Sequence, residues 1–337
     1  MFYIDKIRSE STTISSFYLK PGNGKNLEKF LPGQFINVKI ALEDGNSISR
    51  SYTLSDSPND DYYRLTIKRE KQGKVSRYFH DHLIEGSEIE VSSPMGNFHL
   101  DINSQKPIVL ISGGVGITPM MSMLEYIVAH QPHRKVEFLH SSYNKDVQPF
   151  FNRLKQLDAQ YGNLSLSIFH SAPLETEETG KDYDIKGFIT QDALAKTLGE
   201  EKSYFLCGPT GFMEAMYDHL RKLNIPETRI FYEFFGDAKP LGTRSSYSSS
   251  SNTGISVKFS RSDLKVGWVH EIGSLLDLAE ANGLRPDSSC RMGTCSSCES
   301  KLISGSIEYD PEPFIEAAEG NIFICCAKPT SDITIEI

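Results

Sequence analysis

Ile108-Val109-Leu110-Ile111-Ser112-Gly113-Gly114-Val115-Gly116-Ile117-Thr118-Pro119 is the stretch on which the reading of this chain turns. The apolar run up to Ser112 suits a strand buried on both faces of a parallel sheet. Pro119 opens a helix in which Leu124, Ile127 and Val128 keep helical spacing, with Thr118 as the expected cap. Between strand and helix, Gly113, Gly114 and Gly116 let the backbone close on a pyrophosphate, and amides at the helix start face its charge. The pattern is not G-x-G-x-x-G, because Pro119 stands where the third glycine would be. Taken alone, a structural strand-to-helix turn fits these residues too.

The surroundings extend the pattern. Val136-Glu137-Phe138-Leu139-His140 and Ser203-Tyr204-Phe205-Leu206-Cys207 are further apolar strands, the second leading into a helix with Met213, Met216, Leu220 and Leu223. Such alternation predicts an α/β parallel-sheet domain over residues 104–238. Residues 1–103 instead show short strands broken by Pro32-Gly33 and Pro94-Met95-Gly96, the pattern of an antiparallel β-barrel. Within it Tyr63–Lys68 and Glu88–Ser92 alternate with period two, as half-buried strands do. Residues 239–253 are Ser-rich and read as a linker. A third domain, 254–337, opens with alternating Ile255, Val257 and Phe259 and continues into a helix around Leu275, Leu276, Leu278 and Ala279 that stops at Gly283.

Composition narrows the classes. The chain has 337 residues, 39% apolar and 23% charged, which excludes a collagenous or wholly disordered protein and suggests two or three domains. No run of 18 apolar residues is present, so no membrane span is expected, and the start carries no export pattern, so a cytoplasmic protein is expected. Forty-four acids against 35 bases give −9, which argues against nucleic-acid binding. His80, His82, His99 and His140 lack metal-ligand spacing and read as structural. Glu175, Glu177, Glu178 and Asp182 read as a solvated loop.

Six cysteines are too few for a disulfide scaffold in a chain of this length, and five of them fall from Cys290 onward. Cys290, Cys295 and Cys298 form C-x4-C-x2-C, followed by Cys325 or Cys326; this is the ligand spacing of a [2Fe–2S] cluster. A compact cluster needs one loop to wrap it closely. Small residues Gly293, Ser296 and Ser297 let backbone amides approach the sulfurs. A zinc site would more often show paired C-x2-C knuckles, and only one such pair exists here.

Two further motifs lie upstream. Arg50-Ser51-Tyr52-Thr53 offers a phosphate fork, a stacking face and hydroxyls. Gly73-Lys74-Val75-Ser76 offers amides at a helix start. Taken alone, an exposed turn arginine and an ordinary helix cap fit them at least as well. Cys207-Gly208-Pro209 ends one strand, and Glu233-Phe234-Phe235-Gly236 follows later.

In this order the motifs resemble the ferredoxin reductase superfamily: R-x-Y-[ST], G-x-x-S, G-G-x-G-x-T-P, C-G-P and E-x-F-G. The cysteine block resembles plant-type ferredoxins and implies a β-grasp fold over 254–337. In Cys325-Cys326-Ala327-Lys328-Pro329 the register of the proline makes Cys325 the fourth ligand by that resemblance. The whole chain is similar to reductase components of multicomponent oxygenases, of the phenylacetyl-CoA-epoxidase and phthalate-dioxygenase types, and residues 50–125 to the reductase part of flavohaemoglobins.

The resemblance implies FAD, with FMN as the alternative, anchored by Arg50, Ser51, Gly73, Lys74, Val75 and Ser76, with Tyr52 packed on the isoalloxazine and Thr53 near flavin N5. It implies a nicotinamide dinucleotide held by Gly113, Gly114, Gly116, Thr118 and Pro119. Cys207, Gly208, Pro209, Glu233, Phe234 and Phe235 would border the hydride-transfer site, with Thr53, Cys207 and Glu233 as its catalytic residues. NADH is favoured over NADPH because no arginine follows the second strand in His140–Asp146, although Lys145 and the serines Ser141 and Ser142 keep NADPH open. Electrons would pass from NADH through flavin and cluster to a separate oxygenase or similar metalloenzyme. A small acceptor such as quinone or ferric iron, and a non-catalytic redox sensor, are the alternatives. Residues 254–337 hold thirteen acids and seven bases, a balance that could steer a basic partner.

Overall fold

The computed structural model describes residues 1–22, 26–41, 47–199, 201–235, 254–269, 272–284, 286, 288, 293, 298–310, 312–313 and 316–337. The chain forms two compact units, Met1–Ile40 with Tyr52–Phe235 and Ala41–Ser51 with Gly236–Ile337. The Ser-rich stretch 239–253 lies outside the described residues.

The N-terminal part is built from β1 (Phe2–Ser9), β2 (Ile14–Pro21), β3 (Phe35–Ala41), β4 (Ser47–Thr53), β5 (Tyr63–Lys68), α1 (Lys74–Asp81) and β6 (Glu88–Val91). The strands run in the order β4-β3-β6-β1-β2-β5, and β1 pairs antiparallel with both β2 and β6. One expectation changes: β5 is buried on both faces from Tyr63 to Ile67, not half-buried. Its polar side chains are partnered, which makes that burial tolerable. Thr66 Oγ1 lies 2.8 Å from the hydroxyls of both Ser16 and Ser55. Arg64 pairs with Asp56 at 3.3 Å, donates to Ser55 Oγ, and sits 4.9 Å from the centre of the Phe150 ring.

Next come β7 (Ile108–Gly113), α2 (Ile117–His130), β8 (Val136–Ser142), α3 (Phe151–Gln160), β9 (Leu164–His170), β10 (Ile185–Lys186), α4 (Gln191–Ala195), β11 (Ser203–Gly208), α5 (Thr210–Lys222) and β12 (Ile230–Phe234). The sheet order is β10-β9-β8-β7-β11-β12, and neighbouring strands pair in parallel. The order reverses between β7 and β11, the place where open α/β sheets bind ligands at their carboxyl ends. All of β7 is buried, and α2 covers it with Ile117, Met120, Met121, Leu124 and Ile127. The helix starts two residues before Pro119, so Thr118 is not its cap: Gly116 holds that position, and Thr118 Oγ1 donates to the Val115 carbonyl at 3.2 Å. Pro119 is tolerated in the first turn because its missing N–H would have no intrahelical partner there.

A seam joins the antiparallel and parallel sheets within the first unit. Ser122 of α2 donates to the Asp56 carbonyl at 2.7 Å and accepts from the Gly33 amide at 3.3 Å. Gly33 has φ of +108°, and a Cβ there would stand 2.5 Å from the Phe98 carbonyl and 2.7 Å from Met123 Cε.

The second unit contains β13 (Ser256–Phe259), β14 (Leu264–Gly267), α6 (Leu275–Ala281), β15 (Glu299–Ser304), β16 (Ile307–Tyr309), β17 (Asn321–Phe323), β18 (Ala327–Pro329) and β19 (Ile333–Ile335). They form a five-stranded sheet, β14-β13-β19-β15-β17, and a β16-β18 pair. Its core gathers Phe259, Trp268, Leu275, Leu276 and Phe323. Ser274 caps α6 by accepting from the Asp277 amide at 3.2 Å. Among the described residues no helix is long and apolar enough to cross a membrane.

Gly33→Ala combines positive-φ strain with collisions against backbone and Met123. It is expected to lose about 1–3 kcal/mol from the strain alone, read as a lowered midpoint for the first unit in thermal unfolding.

Candidate functional site

The β7–α2 turn meets the end of β11 backbone to backbone. A Cβ on Gly116 would lie 2.4 Å from the Cys207 carbonyl oxygen and 2.6 Å from the Gly208 nitrogen. One on Gly208 would lie 2.6 Å from the Phe212 ring, and one on Gly113 would lie 3.1 Å from it. Gly114, with φ of +55°, has nothing within 4 Å of its Cβ position. These glycines therefore form a narrow cradle at a helix start, the shape and polarity a pyrophosphate needs. Pro209 caps α5 on the adjoining side.

Beside the cradle, Cys207 and Glu233 are register partners on β11 and β12, and Gly208 pairs with Phe234. Thr53 comes from the end of β4, and its Oγ1 donates to Glu233 Oε2 at 3.4 Å. Three of the residues expected to act together thus meet, although 180 positions separate Thr53 from Glu233. Burial pushes the Cys207 thiol well above its ordinary range, the Glu233 carboxyl adding to it. Glu233 keeps part of its surface open, yet the protein around its carboxyl desolvates it enough to raise its pKa from 4.5 to about 8. Phe235 is exposed.

The flavin motifs fall on β4 and at the start of α1. Arg50 Nη1 donates to the Ser49 carbonyl at 2.9 Å. Tyr52 packs edge-on to Phe79 of α1 at 5.5 Å. Gly73 is the N-cap of α1 and no side chain caps it, which leaves the first turn suited to an anion. Val75 is buried and Lys74 exposed. The Ser76 hydroxyl accepts from the Glu70 amide at 3.2 Å and donates back to the Gly73 carbonyl at 3.4 Å. It braces the loop that presents those amides.

At the end of β8 a buried polar chain appears. Ser112 Oγ lies 2.8 Å from His140 Nδ1, and His140 Nε2 lies 2.8 Å from Ser142 Oγ. Burial, with His170 adding to it, lowers the His140 pKa to about 3, so the ring is neutral. The expected solvated acid loop is in part wrong. Glu177 is 3% exposed at its side chain and meets His170 Nδ1 at 2.5 Å. Asp182, 7% exposed, pairs with Lys145 at 2.5 Å. The physical reason is that both acids find cationic or N–H partners on the strand ends, which offsets their desolvation.

In the second unit Cys298 and Cys325 are both buried; Cys290 and Cys295 lie outside the described residues. The Gly293 amide donates to Cys325 Sγ at 3.2 Å, the kind of contact that stabilises a ligating thiolate. Cys326 Sγ instead faces the Phe323 carbonyl at 3.5 Å. Gly293 has φ of +65°, and a Cβ there would stand 2.7 Å from Cys326 Sγ. Small size and left-handed backbone are both required at that point.

Family models match three parts of the chain. Residues 3–100 match the oxidoreductase FAD-binding domain, 110–218 the oxidoreductase NAD-binding domain, and 269–330 the 2Fe-2S iron-sulfur cluster binding domain. The flavohaem-like FAD/NAD-binding domain of nitric oxide dioxygenase from Vibrio cholerae is 30% identical; the match has a TM-score of 0.63 and covers 70% of this chain and 98% of that one. The chain belongs to the ferredoxin reductase superfamily, with a C-terminal [2Fe–2S] domain. Phthalate dioxygenase reductase shares the fold along the whole chain, with TM-score 0.60, 23% identity and coverage of 100% and 97%. The flavohaemoprotein of Bacillus cereus is 40% identical over 247 residues, 71% of this reductase and 61% of that protein. The reductase thus spans less than two thirds of the flavohaemoproteins it matches. It is an NAD(P)H-dependent oxidoreductase whose cofactors are FAD, NADH and a [2Fe–2S] cluster. The uncapped α1 start, the glycine cradle and the amide-to-sulfur contact all fit those groups.

Sequence reasoning passed over Phe212, whose ring packs across Gly113 and Gly208. Its only signal was an aromatic residue beside, not on, the Met213–Met216–Leu220 stripe.

Two outcomes follow from this geometry. Because the Glu233 pKa is raised, the native state keeps a proton that the unfolded chain releases above pH 4.5, so stability falls as pH rises toward 8 and then levels off. Glu233→Gln should remove that slope, gaining on wild type between pH 5 and 8 in urea unfolding series. Cys325→Ser should lose the cluster's visible absorption and bound iron while keeping flavin, whereas Cys326→Ser should keep both.

Proposed function

We propose that this reductase delivers single electrons from its cluster to a separate terminal oxygenase or similar metalloenzyme. The observation that carries the reading is the [2Fe–2S] domain, residues 269–330, in one chain with the FAD- and NAD-binding domains. When bound, flavin turns the two-electron hydride of NADH into single electrons that such a cluster accepts. A reductase serving a two-electron acceptor would not require that last domain.

In this reading residues 1–103 bind flavin, 104–238 bind the nicotinamide, 239–253 link, and 254–337 carry the cluster. By the family resemblance Arg50 would bind the flavin phosphate and Val75 and Ser76, in the motif with Gly73 and Lys74, its pyrophosphate, while Ser51 and Tyr52 would lie at the ring. Gly113, Gly114, Gly116, Thr118 and Pro119 shape the dinucleotide turn. Cys207, Gly208, Pro209, Phe234 and Phe235 border the nicotinamide. Thr53 orients the Glu233 carboxyl by its 3.4 Å hydrogen bond, and that carboxyl, neutral below about pH 8, would hold a proton at the hydride-transfer site. Cys290, Cys295, Cys298 and Cys325 hold the cluster. In this reading the protein works in the cytoplasm, where NADH is available.

A small acceptor is the second reading, favoured by the 40% identity to a flavohaemoprotein. The acceptors are separated by salt: coupling to a protein partner should weaken with ionic strength, because the acidic cluster domain steers it.

An anaerobic visible spectrum tests the electron chain itself. One equivalent of NADH should bleach overlapping flavin and iron–sulfur bands together. Absence of any flavin signal after FAD is added back would overturn the reading. Thr53→Ala should slow flavin reduction by NADH in stopped flow with flavin still bound; an unchanged rate would remove Thr53 from the site.

A further inference from the structure

A dinucleotide held by the β7–α2 turn has β11 and β12 on one side and β8 and β9 on the other. Cys207, Glu233 and Thr53 occupy the first side. The adenosine half would therefore run across the ends of β8 and β9, where nicotinamide enzymes distinguish a ribose 2′-hydroxyl from a 2′-phosphate. In the connection 143–150 that leaves β8, Lys145 is the one cationic residue. It is the candidate clamp for a 2′-phosphate on the β8 side; on the β9 side the one cation in 171–184, Lys181, pairs with Glu178 at 3.5 Å.

The Lys145 clamp is already engaged. The Lys145 ammonium donates to Asp182 Oδ1 at 2.5 Å and sits 4.7 Å from the centre of the Phe151 ring. Its backbone amide donates to Glu177 Oε1 at 2.9 Å, which fixes the turn. Asp182 is itself anchored, since its Oδ2 accepts from the Glu178 amide at 3.0 Å. Asp182 is also nearly buried, while Lys145 is half-exposed. The acid is thus the fixed member of the pair, and the lysine is drawn to it.

We propose that Asp182 is a positioning residue that determines dinucleotide choice: by holding the Lys145 ammonium it denies the 2′-phosphate of NADPH its cation and so selects NADH. The selection works by occupying an attractive group, with the carboxylate adding repulsion toward a phosphate.

The test compares NADH and NADPH as donors to ferricyanide in the full-length holoprotein, so the terminal acceptor plays no part. Asp182→Asn should raise kcat/KM for NADPH about fivefold, the size of one good surface ion pair, mostly through KM, with NADH changed less than about twofold. Adding Lys145→Met to that variant should abolish the gain. An unchanged NADPH-to-NADH ratio in Asp182→Asn, or a gain that survives Lys145→Met, would overturn the proposal. If Asp182→Asn does not fold, Lys145→Met alone decides. An engaged ammonium predicts a ratio within about twofold of wild type, and a fall of about fivefold or more in NADPH use would mean Lys145 already serves the phosphate.

Discussion

The Gly116 backbone lies against the Cys207 carbonyl so closely that no side chain fits between them. The rest of the first unit is arranged around that contact. It sets how far β7 and β11 extend before their chains turn, and it opens the crevice at the point where strand order reverses. It also places the start of α2, since Gly116 is the helix cap. From α2, Ser122 then reaches across to the Gly33 turn and Asp56, tying the antiparallel sheet to the parallel one. Thr53 and Glu233 meet across that same seam.

Burial governs the chemistry of the crevice. Cys207 is held as a thiol, Glu233 as a carboxyl below about pH 8, and His140 as a neutral imidazole. Charge inside the crevice is thereby kept low, so that a bound redox group meets fixed dipoles and amide ends. The Lys145–Asp182 and His170–Glu177 pairs lie at or beyond the ends of β8 and β9, on the side of the sheet away from Cys207 and Glu233. The second unit follows a related rule at smaller scale. A left-handed Gly293 brings an amide to Cys325 Sγ without a Cβ to obstruct the neighbouring sulfur.

Local pattern was enough for much of this. The apolar run at Ile108–Ser112, the glycines that follow it and the cysteine spacing each reflect a constraint acting over a few residues: a strand buried on both faces, a close backbone turn, a compact cluster. Such constraints are legible one position at a time, and the three-part organisation and the cofactor classes follow from them. The burial of β5 was not legible, because alternation reports only that every second side chain is polar. Whether Arg64 and Thr66 face water or a partner depends on Phe150, Asp56, Ser16 and Ser55, brought from elsewhere in the chain.

The same limit explains the acid loop and Phe212. Glu177 and Asp182 look like any charged turn until β8 and β9 carry Lys145 and His170 to them. Phe212 is one more apolar residue on a helix until the ends of β7 and β11 are laid beneath it. By itself the sequence determined the fold classes, the order of the flavin, nicotinamide and cluster domains and the kinds of cofactor, since those rest on periodicity and short-range spacing. Only the tertiary structure decided which titratable groups meet and which are desolvated, because partners as far as 180 positions apart are joined by packing alone.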